Sequence, residues 1–218
     1  MSDIRMKHTF VYMCIVALIS VSLTIWVVIT GQDSTPFIDE KIVAFVQPLN
    51  ETPLYDIARW LTKLGSKIFL VPFTIVMSGV FLWWFRDWFV PLLFAGGTLM
   101  THILNQFIKH LVVRQRPSIA AELDATGYSF PSGHAMISIV CYGLCLYFLL
   151  KLIPISTKAV TLKIGIGLLI IAIGLSRVII HVHYITDVIA GFAFGFLILR
   201  CLQYLYEARK RHRMRKTS

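Results

Sequence analysis

Long apolar stretches separated by short polar ones run through most of this chain, and their lengths set the first expectation. A helix needs about 20 residues to cross a bilayer. Apolar windows near that length fall at about residues 10–30, 68–85, 89–113, 133–153, 160–180 and 184–204. The pattern predicts an all-α, polytopic membrane protein with six transmembrane helices, organised as one domain over residues 1–218. The first window follows a basic start, as a signal peptide would. Its run is too long for a typical signal core and no small-x-small cleavage site follows, so an uncleaved first span is expected.

Between the first two windows the pattern changes but stays helical. Thr35-Pro36 and Thr52-Pro53 each read as an N-cap followed by a first helical position. After them, Phe37, Ile38, Ile42, Phe45 and Val46, then Leu54, Ile57, Ala58, Leu61 and Leu64, recur at helical spacing. Two short amphipathic helices lying on the membrane surface are predicted here. They read as a packed connector, with a lid or lipid-access rim over a site as the functional alternative.

Composition supports the membrane reading. The chain of 218 residues is 57% hydrophobic and only 15% charged. Its net charge of +10 could suggest a nucleic-acid partner, but the distribution argues otherwise. With both termini inside, Arg5, Lys7, Arg86, Lys151, Lys158, Lys163 and the basic run from Arg209 to Lys216 lie in the cytoplasm. Most acids, including Asp39, Glu40, Glu51, Asp56, Glu122 and Asp124, then lie outside. That asymmetry is the positive-inside rule, and no nucleic acid is needed to explain the charge. Trp83, Trp84 and Trp88 flank the turn at Arg86-Asp87 as an interfacial aromatic belt. The cysteines, Cys14, Cys141, Cys145 and Cys201, all fall in apolar runs and read as small buried residues with no disulfide framework.

Against this apolar background a few polar residues stand out. His102, Asn105, Gln106 and Lys109 make one face of the third window polar, which in a membrane helix turns toward the bundle interior or water. Arg116 returns to nearly the same face, and Pro117 is expected to end the helix. Tyr128-Ser129-Phe130-Pro131-Ser132-Gly133-His134 leads into the fourth window and so offers free amides and a positive dipole end to an anion. Arg177 closes the fifth window. His183 and Asp187, one helical turn apart, open the sixth, with Gly191 and Gly195 allowing a neighbouring helix to approach closely.

These clusters arrive from four spans at one membrane surface. Singly, each has an ordinary explanation as a headgroup anchor, a helix cap or a satisfied pair. Together they read as a phosphate site. Lys109, Arg116 and Arg177 supply positive charge, and the amides near Ser132 and Gly133 add dipoles. His183, held by Asp187, suits a nucleophile; His134, at the helix start, suits the leaving group. His110 and His181 stay unassigned, His181 being read as structural or interfacial.

The spacing K-x6-R-P at Lys109–Pro117, P-S-G-H at Pro131–His134 and S-R-x5-H-x3-D at Ser176–Asp187 resembles the three signature motifs of the type 2 phosphatidic acid phosphatase superfamily. The resemblance implies a phosphohistidine on His183 oriented by Asp187. It also implies that His134 protonates the leaving alkoxide and later activates water, while Lys109, Arg116, Ser132, Gly133 and Arg177 bind phosphate. It implies no metal and no cofactor. Compact bacterial members of the family include phosphatidylglycerophosphatases and undecaprenyl-pyrophosphate phosphatases.

The expectation is therefore an integral cell-membrane lipid phosphatase, a metal-independent hydrolase with both termini cytoplasmic and its site on the extracytoplasmic face. Its partners are the bilayer and a phosphorylated membrane lipid: phosphatidylglycerophosphate first, then undecaprenyl pyrophosphate or phosphatidic acid. A lipid phosphotransferase on the same site, and a membrane transporter or flippase, are the competing readings. The sequence leaves the oligomeric state open.

Overall fold

A computed structural model of the chain describes residues 2–30, 35–117, 127–154 and 157–217. The loop 118–126, with Glu122 and Asp124, lies outside the described residues, as do residues 31–34. Among the described residues the elements are eight α-helices and two 3-10 turns. The helices are α1 (Ser2–Thr30), α2 (Phe37–Val46), α3 (Pro53–Thr62), α4 (Lys67–Phe85), α5 (Phe89–Val112), α6 (Gly133–Leu152), α7 (Thr157–Ile179) and α8 (Ile185–Thr217).

Five of these helices, α1, α4, α6, α7 and α8, are long and apolar enough to cross a membrane. The 24 residues of α5 are interrupted by polar groups. Its buried polar line is Thr101, Asn105 and Lys109, while His102 and Gln106 are half-buried and His110 is exposed. The inward face is thus rotated slightly from the stripe read in sequence.

The centre of the bundle is α6, packed against α8, α7 and α5. Phe81, Phe94 and Phe148 are fully buried, and Phe81 lies 5.3 Å from the ring of Phe94 and 5.4 Å from that of Phe148. Met136, Val140, Leu144 and Ile173 complete this core. The closeness of α6 and α8 depends on small residues. A Cβ on Gly191 would stand 2.6 Å from the Ser132 carbonyl oxygen, and one on Gly195 would stand 2.6 Å from that of Met136. Backbone cannot yield as a side chain can, so these two positions fix the approach of the two helices.

Three boundaries, and the exposure of two cysteines, differ from the sequence expectation. Helix α5 stops at Val112 and not at Pro117, because Val113 takes a left-handed conformation (φ 56°) and its N–H caps the Lys109 carbonyl at 3.0 Å. Arg114 and Arg116 therefore leave the helix on a loop. Pro36, not Thr35, is the N-cap of α2. The basic tail is no loose extension: α8 continues through it to Thr217, where Asp87 receives Arg209 at 2.9 Å and Arg213 at 2.8 Å. Cys14 and Cys201 are exposed, lying on outward faces of α1 and α8, whereas Cys141 and Cys145 are buried; all four are free.

The segment between α1 and α4 is docked on the bundle. Ile42 and Val46 of α2 pack with Val178 and Val188, and α3 lies along α7. The Tyr142 hydroxyl donates to the Leu64 carbonyl at 2.7 Å, tying the end of this segment to α6.

Candidate active site

The C-terminal ends of α5 and α7 and the N-terminal ends of α6 and α8 meet at the end of the bundle opposite Asp87. The left-handed turn at Val113 makes this meeting possible by sending the chain back across the start of α8. Lys109, buried in the last turn of α5, donates to the carbonyls of Tyr128 and Ser129, the latter at 3.0 Å. It thereby fixes the strand of loop that leads into α6. Arg116 donates to the carbonyls of Gly127 (2.9 Å) and Val182 (2.6 Å), and its Nη1 lies 3.4 Å from His183 Nε2.

Asp187 is wholly buried on the first turn of α8. One of its oxygens, Oδ2, accepts from the Ser129 hydroxyl and from the Tyr184 N–H at 2.9 Å. The same oxygen lies 3.4 Å from His183 Nδ1. A neutral His183 with its proton on Nδ1 satisfies both neighbours, because Nδ1 then faces an acceptor and Nε2 turns a lone pair toward the Arg116 guanidinium. Burial, followed by the positive charges of Lys109, Arg177 and Arg116, holds the His183 imidazole well below the ordinary histidine pKa. Arg116 is also held below its usual value, chiefly by burial, with Asp187 opposing.

Ser132 caps α6. Its N–H donates to the Asp187 carbonyl at 2.9 Å, while its buried hydroxyl has no partner among the described residues. A Cβ on Gly133 would stand 2.9 Å from Asn105 Oδ1, so α5 and the start of α6 touch there. The next amides of α6 have no carbonyl before them in the helix and point outward from its start. His134 follows, within electrostatic range of Arg177, His183, Arg116 and Lys109. On the far side, Arg177 Nη1 donates to the Thr62 hydroxyl at 2.8 Å, and its buried Nε has no partner among the described residues. The residues singled out in sequence, Lys109, Arg116, Ser132, Gly133, His134, Arg177, His183 and Asp187, are thus brought to one place. His181 stands apart, buried with neither ring nitrogen partnered among the described residues.

Five contributors were not singled out. Arg114 donates to Asp187 Oδ1 at 2.6 Å and to Asp39 Oδ2 at 2.7 Å, and Thr186 bonds both Arg114 and Asp39. Ser129, though part of the quoted stretch, had no role assigned. Gly65, just after α3, lies over His134: a Cβ there would come within 2.8 Å of the ring and 2.6 Å of Ile173. The sequence held one usable signal, an arginine two residues before Arg116 in an otherwise apolar approach. Gly65→Ala is expected to push the His134 ring aside. If His134 is the proton donor that the sequence resemblance implies, release of phosphate from an alkyl phosphate should then fall more than release from p-nitrophenyl phosphate, whose leaving group needs no acid; equal losses would contradict this.

A polar cage of this kind can hold a dianion. It offers fixed positive groups, a helix start and a neutral imidazole whose second nitrogen is turned to the same space. The model of the PAP2 superfamily matches residues 90–211, which include every one of the three motifs. Phosphatidylglycerophosphatase B of Bacillus subtilis (strain 168) is 30% identical over 179 residues, covering 81% of this chain and 87% of that protein. The dolichyldiphosphatase of Saccharomyces cerevisiae is 28% identical, covering 70% of this chain and 67% of its own length. An undecaprenyl-diphosphatase of Sulfolobus acidocaldarius is 23% identical over 84% of this chain and 86% of that relative. The crystal structure of the transmembrane PAP2-type phosphatidylglycerolphosphate phosphatase of B. subtilis superposes with a TM-score of 0.76. It is 28% identical and covers 87% of this chain and 96% of its own.

Proposed function

The chain belongs to the PAP2 superfamily and is a multi-pass membrane phosphatase; on that premise we propose that its substrate is phosphatidylglycerophosphate, cleaved through a phosphohistidine on His183. The observation that carries this reading is the His183 ring itself. It is buried beside Asp187 Oδ2 with its Nε2 facing Arg116, among Lys109, Arg177 and the start of α6.

In the first step Nε2 attacks phosphorus and the bond to the lipid oxygen breaks, while His134 gives that oxygen its proton. Asp187 holds the Nδ1–H and stabilises the positive ring as it forms. Lys109, Arg116, Arg177, the Ser132 hydroxyl and the free amides at the start of α6 from Gly133 onward surround the equatorial oxygens, where charge spreads in the transition state. In the second step His134 takes a proton from water, the resulting hydroxide attacks phosphorus, and the N–P bond breaks to give inorganic phosphate.

We place α1 and α4 to α8 as six spans. Helix α5 is included because its first residues lie near the far end of α8, where Arg209 sits 4.0 Å from the Phe89 ring, while its last turn reaches the site end. The basic charges of that far end put both termini in the cytoplasm and the site on the extracytoplasmic face. Helices α2 and α3 then lie at the outer surface. Two relatives whose names specify polyprenyl diphosphates support a second candidate substrate, undecaprenyl pyrophosphate.

The deciding experiment compares phosphate release from phosphatidylglycerophosphate, undecaprenyl pyrophosphate and phosphatidic acid in detergent. The reading expects the first to have the highest kcat/KM; a clear preference for the pyrophosphate would replace it. EDTA should leave the rates unchanged, and strong inhibition would contradict a metal-independent route.

The depressed pKa of His183 gives a pH prediction. The reactive form is neutral, so protonation of His183 should not limit kcat/KM in the ordinary histidine range, about 6.5, and should lower it only at more acid pH. Stability has its own dependence. Below about pH 6.5 the unfolded histidine takes up a proton that the folded one does not, so folding weakens as pH falls and levels off below the folded pKa. An activity limb at or above 6.5 assigned to His183 would contradict the neutral, buried ring.

A further inference from the structure

The carboxylate of Asp187 has two differently used oxygens. Oδ2 faces His183, the Ser129 hydroxyl and the Tyr184 N–H, whereas Oδ1 faces Arg114 Nη1 at 2.6 Å. Arg114 therefore holds the oxygen opposite the one that meets His183 and, with Ser129 and Tyr184 on Oδ2, fixes the rotation of the carboxylate. Arg114 sits on a loop beyond the end of α5, so something else must fix it in turn. Its guanidinium stacks 4.1 Å from the Tyr184 ring, and Nη2 donates to Asp39 Oδ2 at 2.7 Å. Asp39 is wholly buried on the first turn of α2. It is held by the Thr186 N–H at 3.2 Å and by the Thr186 hydroxyl at 2.6 Å, and that hydroxyl accepts from Arg114 at 2.8 Å. Arg114, Thr186 and Asp39 form a closed ring: Arg114 Nη1 donates to the Thr186 hydroxyl, and that hydroxyl and Arg114 Nη2 both donate to Asp39 Oδ2.

We propose that Asp39 is a positioning residue for the phosphohydrolase reaction, acting through Arg114 on Asp187. The proposal rests on the reading above, in which Asp187 orients His183. Two effects follow from the geometry. Asp39 keeps the guanidinium fork aimed at Oδ1, so that Oδ2 stays directed at the histidine. It also shares the positive charge of Arg114, leaving more of the Asp187 charge available to the imidazolium as it forms. Helix α2, though distant in sequence from the motifs, thereby becomes part of the site's supporting shell.

The test is a double-mutant cycle with Asp39→Asn, Asp187→Asn and both together, in full-length protein in detergent with a short-chain lipid phosphomonoester. Asp39→Asn should lower kcat by about 10- to 100-fold, the scale of a small misplacement at a reacting centre. Its KM should stay within about twofold, because phosphate binding is untouched. The double variant should be no slower than Asp187→Asn alone, since the influence of Asp39 passes through Asp187. Losses that multiply, or a wild-type kcat in Asp39→Asn, would overturn the proposal. If Asp39→Asn does not fold, Thr186→Val loosens the same carboxylate and carries the same test, with non-additivity expected and multiplication overturning. A wild-type kcat in Asp187→Asn would refute the underlying reading of Asp187 and the proposal with it, a result distinct from a silent Asp39.

Discussion

His183→Ala is expected to abolish phosphate release, lowering kcat by roughly four orders of magnitude or more, as loss of a covalent nucleophile does. The loss should appear in single-turnover experiments as well as at steady state. A phosphoenzyme that is trapped from the wild type by an alkaline denaturing quench, and is labile to acid but stable to base, should be missing from the variant. The bundle should survive the change. The hydrogen bonds that hold this corner, from Ser129 and Tyr184 to Asp187 and from Arg116 to Val182, do not use the imidazole. An unchanged elution volume and thermal midpoint would therefore accompany the inactivity. Retention of full activity would remove His183 from the nucleophile's role and return the site to a binding function.

Arg114→Met should have the largest effect on stability. The side chain is only 8% exposed, and the two carboxylates it joins, Asp39 and Asp187, are both at 0%. Burial works against its charge, yet Asp187 and Asp39 together hold it above the usual arginine pKa, so the guanidinium stays charged. Removing it leaves two buried carboxylates without their shared cation, a change that costs about 3–5 kcal/mol when one partner of a buried pair is lost. The thermal midpoint should fall by roughly 10 °C. Arg114→Lys should recover only part of this, because an ammonium cannot span two carboxylates as a fork does. A midpoint within a degree or two of wild type for Arg114→Met would show that water replaces the guanidinium without cost.

These two residues also mark what the sequence could and could not reveal. His183 and Asp187 are only four residues apart, so their proximity follows from spacing, although His183 lies in the bend before α8 and not on the helix itself as the sequence suggested. The three motifs each lie within a few residues, and the apolar windows limit how their ends can be arranged, which is why the cluster was legible. Asp39 and Arg114 are separated by most of α2 and the whole of α3, α4 and α5, and nothing in the local pattern distinguishes Asp39 from an ordinary first-turn acid. The end of α5 was hidden for a different reason. A β-branched residue seldom takes a left-handed conformation, so Val113 carried no stop signal, and Pro117 was the plausible but wrong terminator. Gly65 and Thr62 were invisible as site components because their contacts with His134 and Arg177 depend on how α3 lies along α7. The helical tail beyond Tyr204 was read as charge alone; the Asp87 pairings that anchor it are tertiary.

That continuous α8 has a consequence for depth. From Asp187 to Arg209 the helix runs without interruption, a rise of about 33 Å at 1.5 Å per residue, close to the ~30 Å thickness of a bilayer's hydrocarbon core. One end carries the carboxylate beside His183 and the other is clamped by Asp87. The helix thus acts as a ruler, setting the height of the phosphate site above the opposite surface independently of the loops. On the proposed placement of α8 as a span, a thicker or thinner bilayer would move the substrate's phosphate relative to this ruler while the site stays where it is, so bilayer thickness itself would become a determinant of how readily the lipid is cleaved.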